Sequence, residues 1–176
     1  GNPAEGLVPS EPAIVAGDAA VNGRVVAVGA VTAAGNMAIF SNRAGPTANY
    51  YLMAPGSGVV VAGVDDNVRN PGAQSCSATV TTMCNDADDD GDYWSVSGTS
   101  FAAPAVAGAL ALMLDLFPNL APEASLQILL DTADDYVTTA PDPVRGEVAG
   151  VGTDTVGGRG IMNLRKAFSP QGTAVF

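Results

Sequence analysis

Gly98-Thr99-Ser100-Phe101-Ala102-Ala103-Pro104, continued by Ala107-Gly108, is the stretch on which the reading of this chain turns. It sets a serine where a glycine-containing loop gives way to a long apolar run. Val106, Ala109, Leu110, Leu112, Met113, Leu114, Leu116 and Phe117 follow, with Asp115 as the only charge among them. The run predicts a helix that begins near Ser100 and stops at Pro118-Asn119. Pro104 is expected in its first turn, where a missing N–H costs little. A helix apolar on nearly every side is expected in the middle of a domain. The charge-free part, 101–114, is shorter than the roughly 20 apolar residues a bilayer span needs and is interrupted by Pro104, so it reads as a core helix.

The position of the serine matters chemically. Backbone N–H groups at a helix N-terminus lack intrahelical partners and carry partial positive charge. A serine there can present its oxygen to a substrate carbonyl while its own N–H stabilises the oxyanion that develops. Ala102 and Ala103 would keep the approach open, and Gly108 would let the helix pack closely on a neighbour. Ser and Thr are also favoured helix caps, so spacing alone leaves both readings of Ser100 standing.

Upstream, residues 24–31 form a short β-branched run bounded by turn signals, as expected of a strand buried on both faces of a parallel sheet. Tyr50-Tyr51-Leu52-Met53 reads as a strand ended by the Ala54-Pro55-Gly56 turn, and Val59-Val60-Val61-Ala62 as another. The first 23 residues read mainly as loop. Residues 65–92 read as an irregular insertion with a hairpin near 79–83. Downstream, Pro122-Glu123 opens a second helix, its acidic residue placed as the helix dipole prefers. Ala124, Leu126, Ile128, Leu129 and Leu130 supply its buried face. A turn at Gly157-Gly158-Arg159-Gly160 precedes a short last helix near 164–168. Strands early and helices late, around one central helix, predict an α/β layered domain.

Composition sets the outer limits. The chain has 176 residues, 47% hydrophobic and 14% charged, which suits one compact domain and argues against disorder. Seven basic residues against 18 acidic ones give a net charge of −11, which disfavours nucleic acid and anionic membranes as partners. Histidine is absent, so the chain itself supplies no imidazole base. Cys76 and Cys84 fit a disulfide formed in an oxidising compartment, or two separate thiols. They are too few for a zinc site without histidine. Between Cys84 and Ser100, the aspartates Asp86, Asp88 and Asp90 with Gly91 follow the opening pattern of a calcium loop. The position that should hold a bidentate Glu is Ser97, so a solvated acidic turn fits as well, as does a border to a substrate cleft. No signal peptide or membrane span is visible. The opening Gly1-Asn2-Pro3 lacks an initiator Met, as expected of a processed product or a fragment.

The string Gly-Thr-Ser-x-Ala-x-Pro followed by Ala-Gly resembles the catalytic-serine signature of the subtilisin-like serine proteases, the subtilases. Other segments follow that family's order. Val26-Ala27-Val28-Gly29-Ala30-Val31 resembles the strand after the oxyanion loop. Phe40-Ser41-Asn42-Arg43-Ala44-Gly45 resembles the Phe-Ser-x-x-Gly turn, and Met53-Ala54-Pro55-Gly56 the Ala-Pro-Gly segment. Gly158-Arg159-Gly160-Ile161-Met162-Asn163 is similar to the Gly-x-Gly-x-x-Asn near the family's C-terminus.

The resemblance implies a three-layer α/β/α domain with a mostly parallel sheet, of which residues 1–176 are the C-terminal portion and 65–92 an atypical insertion. It makes Ser100 the nucleophile of a serine endopeptidase that acts on protein or peptide substrates and requires no cofactor. Asn2 falls where the family has its oxyanion asparagine, although Gly-Asn is also an ordinary turn dipeptide. The family's Asp and His precede this point in chain order. A serine without a base is a weak nucleophile, so the chain alone is expected to have negligible activity. Absence of the first half should leave an unpaired strand edge and apolar faces, covered by that N-terminal half or by self-association. The ending, 163–173, looks similar to the end of protease passengers in bacterial autotransporters. That implies a secreted or cell-surface protein at a Gram-negative outer membrane. A non-catalytic pseudoprotease or passenger module, using the fold as a binding surface, is the rival reading.

Overall fold

Two short apolar runs organise the molecule. The computed structural model describes residues 6–21, 23–62, 93–142 and 146–169. Strands β1 (Ala27–Val31) and β2 (Tyr51–Pro55) pair in parallel, Ala27 opposite Tyr51 and Val31 opposite Pro55. Strand side chains alternate between faces. Ala30, Leu52 and Ala54 enter one core layer, while Ala27, Val31, Tyr51 and Met53 enter the other. Burial on both faces is why these runs lack the polar alternation of a surface sheet. The strand expected from Arg24 starts at Ala27, and the one expected to end at Met53 continues to Pro55.

The far edge of β2 is occupied by the chain near Ile161, which lies parallel to it. Met53 N donates to the Gly160 carbonyl at 2.8 Å, and Met162 N to the Met53 carbonyl at 2.8 Å. The other edge of β1 meets no described strand. At Ala30 that edge is closed by the chain itself. Ala30 N donates to Ser41 Oγ at 3.0 Å, and the Ala30 carbonyl accepts from Ala38 N at 2.8 Å.

Helix α1 (Thr99–Leu116) lies on one face of this sheet. Thr99, Ala102, Val106, Ala109 and Met113 form its buried stripe, at the three- and four-residue spacing of one helical face. Helix α2 (Pro122–Asp131) adds Leu126, Leu129 and Leu130, and α3 (Leu164–Ala167) adds Ala167. The opposite layer holds two 3-10 helices, Ala13–Gly17 and Gly45–Tyr50, with Ala149 and Val156. Helical layers on both faces of a parallel sheet are the α/β arrangement expected from the sequence.

Three expectations need correction. The first 23 residues are not all loop, since Ala13–Gly17 and Ala19–Val21 are 3-10 helices. Because α1 starts at Thr99, Pro104 lies in its second turn, where it has no N–H to offer the Ser100 carbonyl. Nor is α1 covered on every side. Leu112 and Leu116 are 57% and 62% exposed, and a Cβ at Gly108 would meet nothing within 4 Å. Composition made the helix apolar all round, whereas the described neighbours reach one side only. By length and mean hydropathy α1 could cross a membrane, but its buried stripe on the sheet makes it a layer helix.

The pairing of the third strand is a feature for which the sequence carried no expectation. Strand β3 (Val59–Ala62) is where it was expected, but its partner is β4 (Tyr93–Val96), an antiparallel strand that the sequence reading did not assign. Val59 stands opposite Val96, and Ala62 opposite Tyr93. The expected hairpin at 79–83 lies outside the described residues.

Candidate active site

The start of α1 is fixed from behind by the segment that follows β2. Gly98 N donates to the Gly56 carbonyl at 2.7 Å, and Gly56 N to the Val31 carbonyl at 3.1 Å. One step further out, Gly58 N donates to Ser97 Oγ at 2.9 Å, and the β3–β4 ladder takes over from there. Gly56 has to be glycine. A Cβ on it would stand 2.7 Å from Ala30 Cβ, 2.9 Å from the Gly98 carbonyl oxygen and 3.1 Å from Ala102 Cβ.

Helix α1 takes Gly98 as its N-cap and has no side-chain cap bond. Ser100 is therefore inside the first turn rather than the cap, and the simple capping reading of that serine is not what the chain adopts. Its neighbours Thr99 and Ala102 are buried against the sheet, whereas Ser100 and Ala103 are exposed. Ala102 thus serves packing; of the two alanines, only Ala103 borders the open side. The Ser100 N–H belongs to the first turn, where no carbonyl of the helix can reach it. Hydroxyl and amide stand together at the positive end of an 18-residue helix dipole.

Two further anchors stabilise the surroundings. Tyr51 reaches under β1 and donates its phenol to the Asn42 carbonyl at 2.6 Å. Burial pushes that phenol up to about 12. Ser41 and Asn42 are thereby tied to both strands. The buried guanidinium of Arg43 carries the same turn to the carboxylates of Asp142 and Glu147. At the other end, Asn163 caps α3 by accepting from Lys166 N at 3.0 Å and donates its amide to Asp134 at 2.8 Å. The bond from Lys166 is the main cause holding the Asp134 carboxyl below its ordinary range.

The structure brings Ser100 together with the Ala-Pro-Gly segment. Asn2, Cys76, Cys84, Asp86, Asp88 and Asp90 all lie outside the described residues. Among the described residues, no group of three or more acidic, cysteine or histidine side chains could hold a metal ion. Sequence reasoning did not assign functional weight to Gly56 or Ser97. Their signals were present: a glycine closing a buried strand, and a hydroxyl in the loop that leads into Ser100.

A profile of the subtilase family, peptidase S8, matches residues 8–156. The chain belongs to the subtilase family. Among solved structures, this subtilase chain is similar to the Patellamide maturation protease PatA, with 26% identity and a TM-score of 0.54. The match covers 82% of this chain and 42% of PatA, so the chain spans less than half of that relative. The Prenylagaramide maturation protease PagA shares the fold at 24% identity and a TM-score of 0.50, covering 81% of this chain and 41% of PagA. A third relative is Serotype-specific antigen 1 of Mannheimia haemolytica. It is 30% identical over 131 residues, which are 74% of this chain and 11% of that protein. A serine-protease family and an α/β fold are what the serine string and the segment order implied.

Proposed function

We propose that this chain is the nucleophile-bearing part of a serine endopeptidase that hydrolyses protein or peptide substrates through an acyl-enzyme on Ser100. The observation that supports it is the placement of Ser100: exposed, in the first turn of α1, and beside a cap that does not need its hydroxyl. The Ser100 oxygen attacks the peptide carbonyl while its proton passes to an imidazole. That imidazole then protonates the leaving amine, and water releases the acyl group. The oxyanion is held by the Ser100 N–H and the side-chain amide of Asn2, a donor whose loss costs about 10²–10³ in rate. None of these 176 residues is histidine, so the imidazole is supplied from outside them, and the family's chain order assigns it and its aspartate partner to an upstream segment. The same segment covers the open face of α1. Similarity to a protein named as an antigen supports a secreted or cell-surface location, and the 163–173 ending supports an autotransporter passenger.

A fluorophosphonate probe tests the reading directly. The polypeptide that includes the upstream segment should be labelled at Ser100, its Ser100→Ala variant should not, and this chain alone should remain unlabelled. Stoichiometric labelling of the isolated chain would show that no outside base is needed. An unlabelled longer polypeptide would favour a non-catalytic binding module on a protease fold.

A further inference from the structure

We propose that Gly56 and Ser97 are positioning residues that set the direction from which Ser100 approaches a substrate. The inference rests on the reading of Ser100 as nucleophile, and it assigns that alignment to a two-bond clamp. The first bond joins Gly98 N to the Gly56 carbonyl at 2.7 Å, just before the helix that carries Ser100. The second joins Gly58 N to Ser97 Oγ at 2.9 Å. Gly56 is in turn held to the end of β1 through Val31. A rigid sheet end thus determines where the first turn of α1 begins.

The clamp works because Gly56 has no side chain. A Cβ there meets the Gly98 carbonyl oxygen at 2.9 Å and the first atoms of two alanine side chains, one on β1 and one on α1. None of these is the end of a flexible chain that can swing away. An alanine at position 56 must therefore displace neighbours on β1 or at the start of α1, and two of the three, Gly98 and Ala102, flank Ser100. Misplacement of a reacting group by about 1 Å can cost on the order of 10²-fold in rate. Ser97 contributes differently. It is exposed, so removing its hydroxyl leaves no buried cavity and loosens only the outer bond.

The test uses the polypeptide that includes the upstream segment and compares three clamp variants, Gly56→Ala, Ser97→Ala and Ser97→Thr, with the unsubstituted protein and with Gly150→Ala as the control. A Cβ at Gly150 meets nothing within 4 Å, and that glycine is remote from the clamp in the chain. Gly56→Ala should slow fluorophosphonate labelling of Ser100 at least tenfold and lower kcat on a peptide ester with KM nearly unchanged. Ser97→Ala should lower kcat several-fold, and Ser97→Thr, which keeps the hydroxyl, should restore it. In the chain itself, amide exchange at Gly98 should accelerate at least tenfold in Gly56→Ala while the Leu52 and Leu129 amides stay protected. Equal labelling of all variants overturns the proposal, as does a loss matched by Gly150→Ala or confined to KM. If the unsubstituted protein is not labelled, the nucleophile reading fails and the positioning role with it. That outcome is distinct from a labelled protein whose variants behave alike.

Discussion

Gly29 and Tyr51 show how a single absent side chain sets a local geometry. The Tyr51 ring lies across β1 at Gly29, where an added Cβ would come within 2.7 Å of the phenol carbon Cζ. Both partners are enclosed, so neither can yield cheaply. Overpacking of this kind typically costs about 1–3 kcal/mol. Gly29→Ala should therefore lower the unfolding free energy by an amount in that range, read as a lower urea midpoint at unchanged slope, and an unchanged midpoint would refute the packing argument. Tyr51 adds a pH signature. Burial raises its phenol from 10.0 to about 12, so the folded state favours the protonated form. That contribution is complete below the unfolded value and is lost as pH rises through about 12. In an alkaline absorbance titration, the difference between the chain and its Tyr51→Phe variant should be a phenolate that appears only towards that upper value or on unfolding. A difference that titrates near 10 would count against enclosure of the ring.

Among the elements, α3 depends most on its cap. It is four residues long, and Asn163 both accepts from Lys166 N and donates to Asp134. Replacing such a cap with alanine costs about 0.5–2 kcal/mol. The Asp134 carboxyl, lowered first by its bond from Lys166, adds acid sensitivity. Its stabilising effect is present above the ordinary value of 3.8 and fades as pH falls through the lower folded value. As pH falls through that window, melting temperature should thus drop less steeply in Asp134→Asn than in the parent chain; parallel curves would exclude the effect. The elements differ in how legible they were. β1 and β2 were visible because double-sided burial leaves unbroken apolar runs, and the family strings placed them in order. The ragged start of β1 was not, because Arg24 belongs to the surface, where it pairs with Glu123. β4 has only four residues, and its partner β3 precedes a long polar stretch, so local pattern had no means of naming the pair. The 3-10 helices are built from small residues with no usable period. For Ser100, the string singled out the residue, whereas Gly98 as the cap and Gly56 as the brace behind it emerge only from the fold.

At the scale of the whole molecule, the uncovered side of α1 decides behaviour in solution. Leu112, Leu116 and Phe117 are exposed there, and an apolar groove of about 500 Å³ continues from Leu116 and Phe117 to Leu120 and Ile128. Contiguous apolar surface of this kind marks a contact site or an association hazard. The helix is bound to the sheet by its other stripe, so the exposed leucines add little to the fold's own stability. Substituting exposed positions usually changes stability by no more than about 0.5 kcal/mol. Leu112→Glu with Leu116→Glu should therefore leave the urea midpoint nearly unchanged while removing dye binding and self-association. The unsubstituted chain should bind a hydrophobic dye and sediment as more than a monomer. Supplying the proposed upstream segment in trans should suppress both in the unsubstituted chain, and that segment should bind the unsubstituted chain but not the double variant, whose carboxylates would be driven against its apolar face. A monodisperse, dye-silent chain would mean that the face is already covered by its own residues. In that case the half-covered helix could not serve as the seat of the proposed upstream segment.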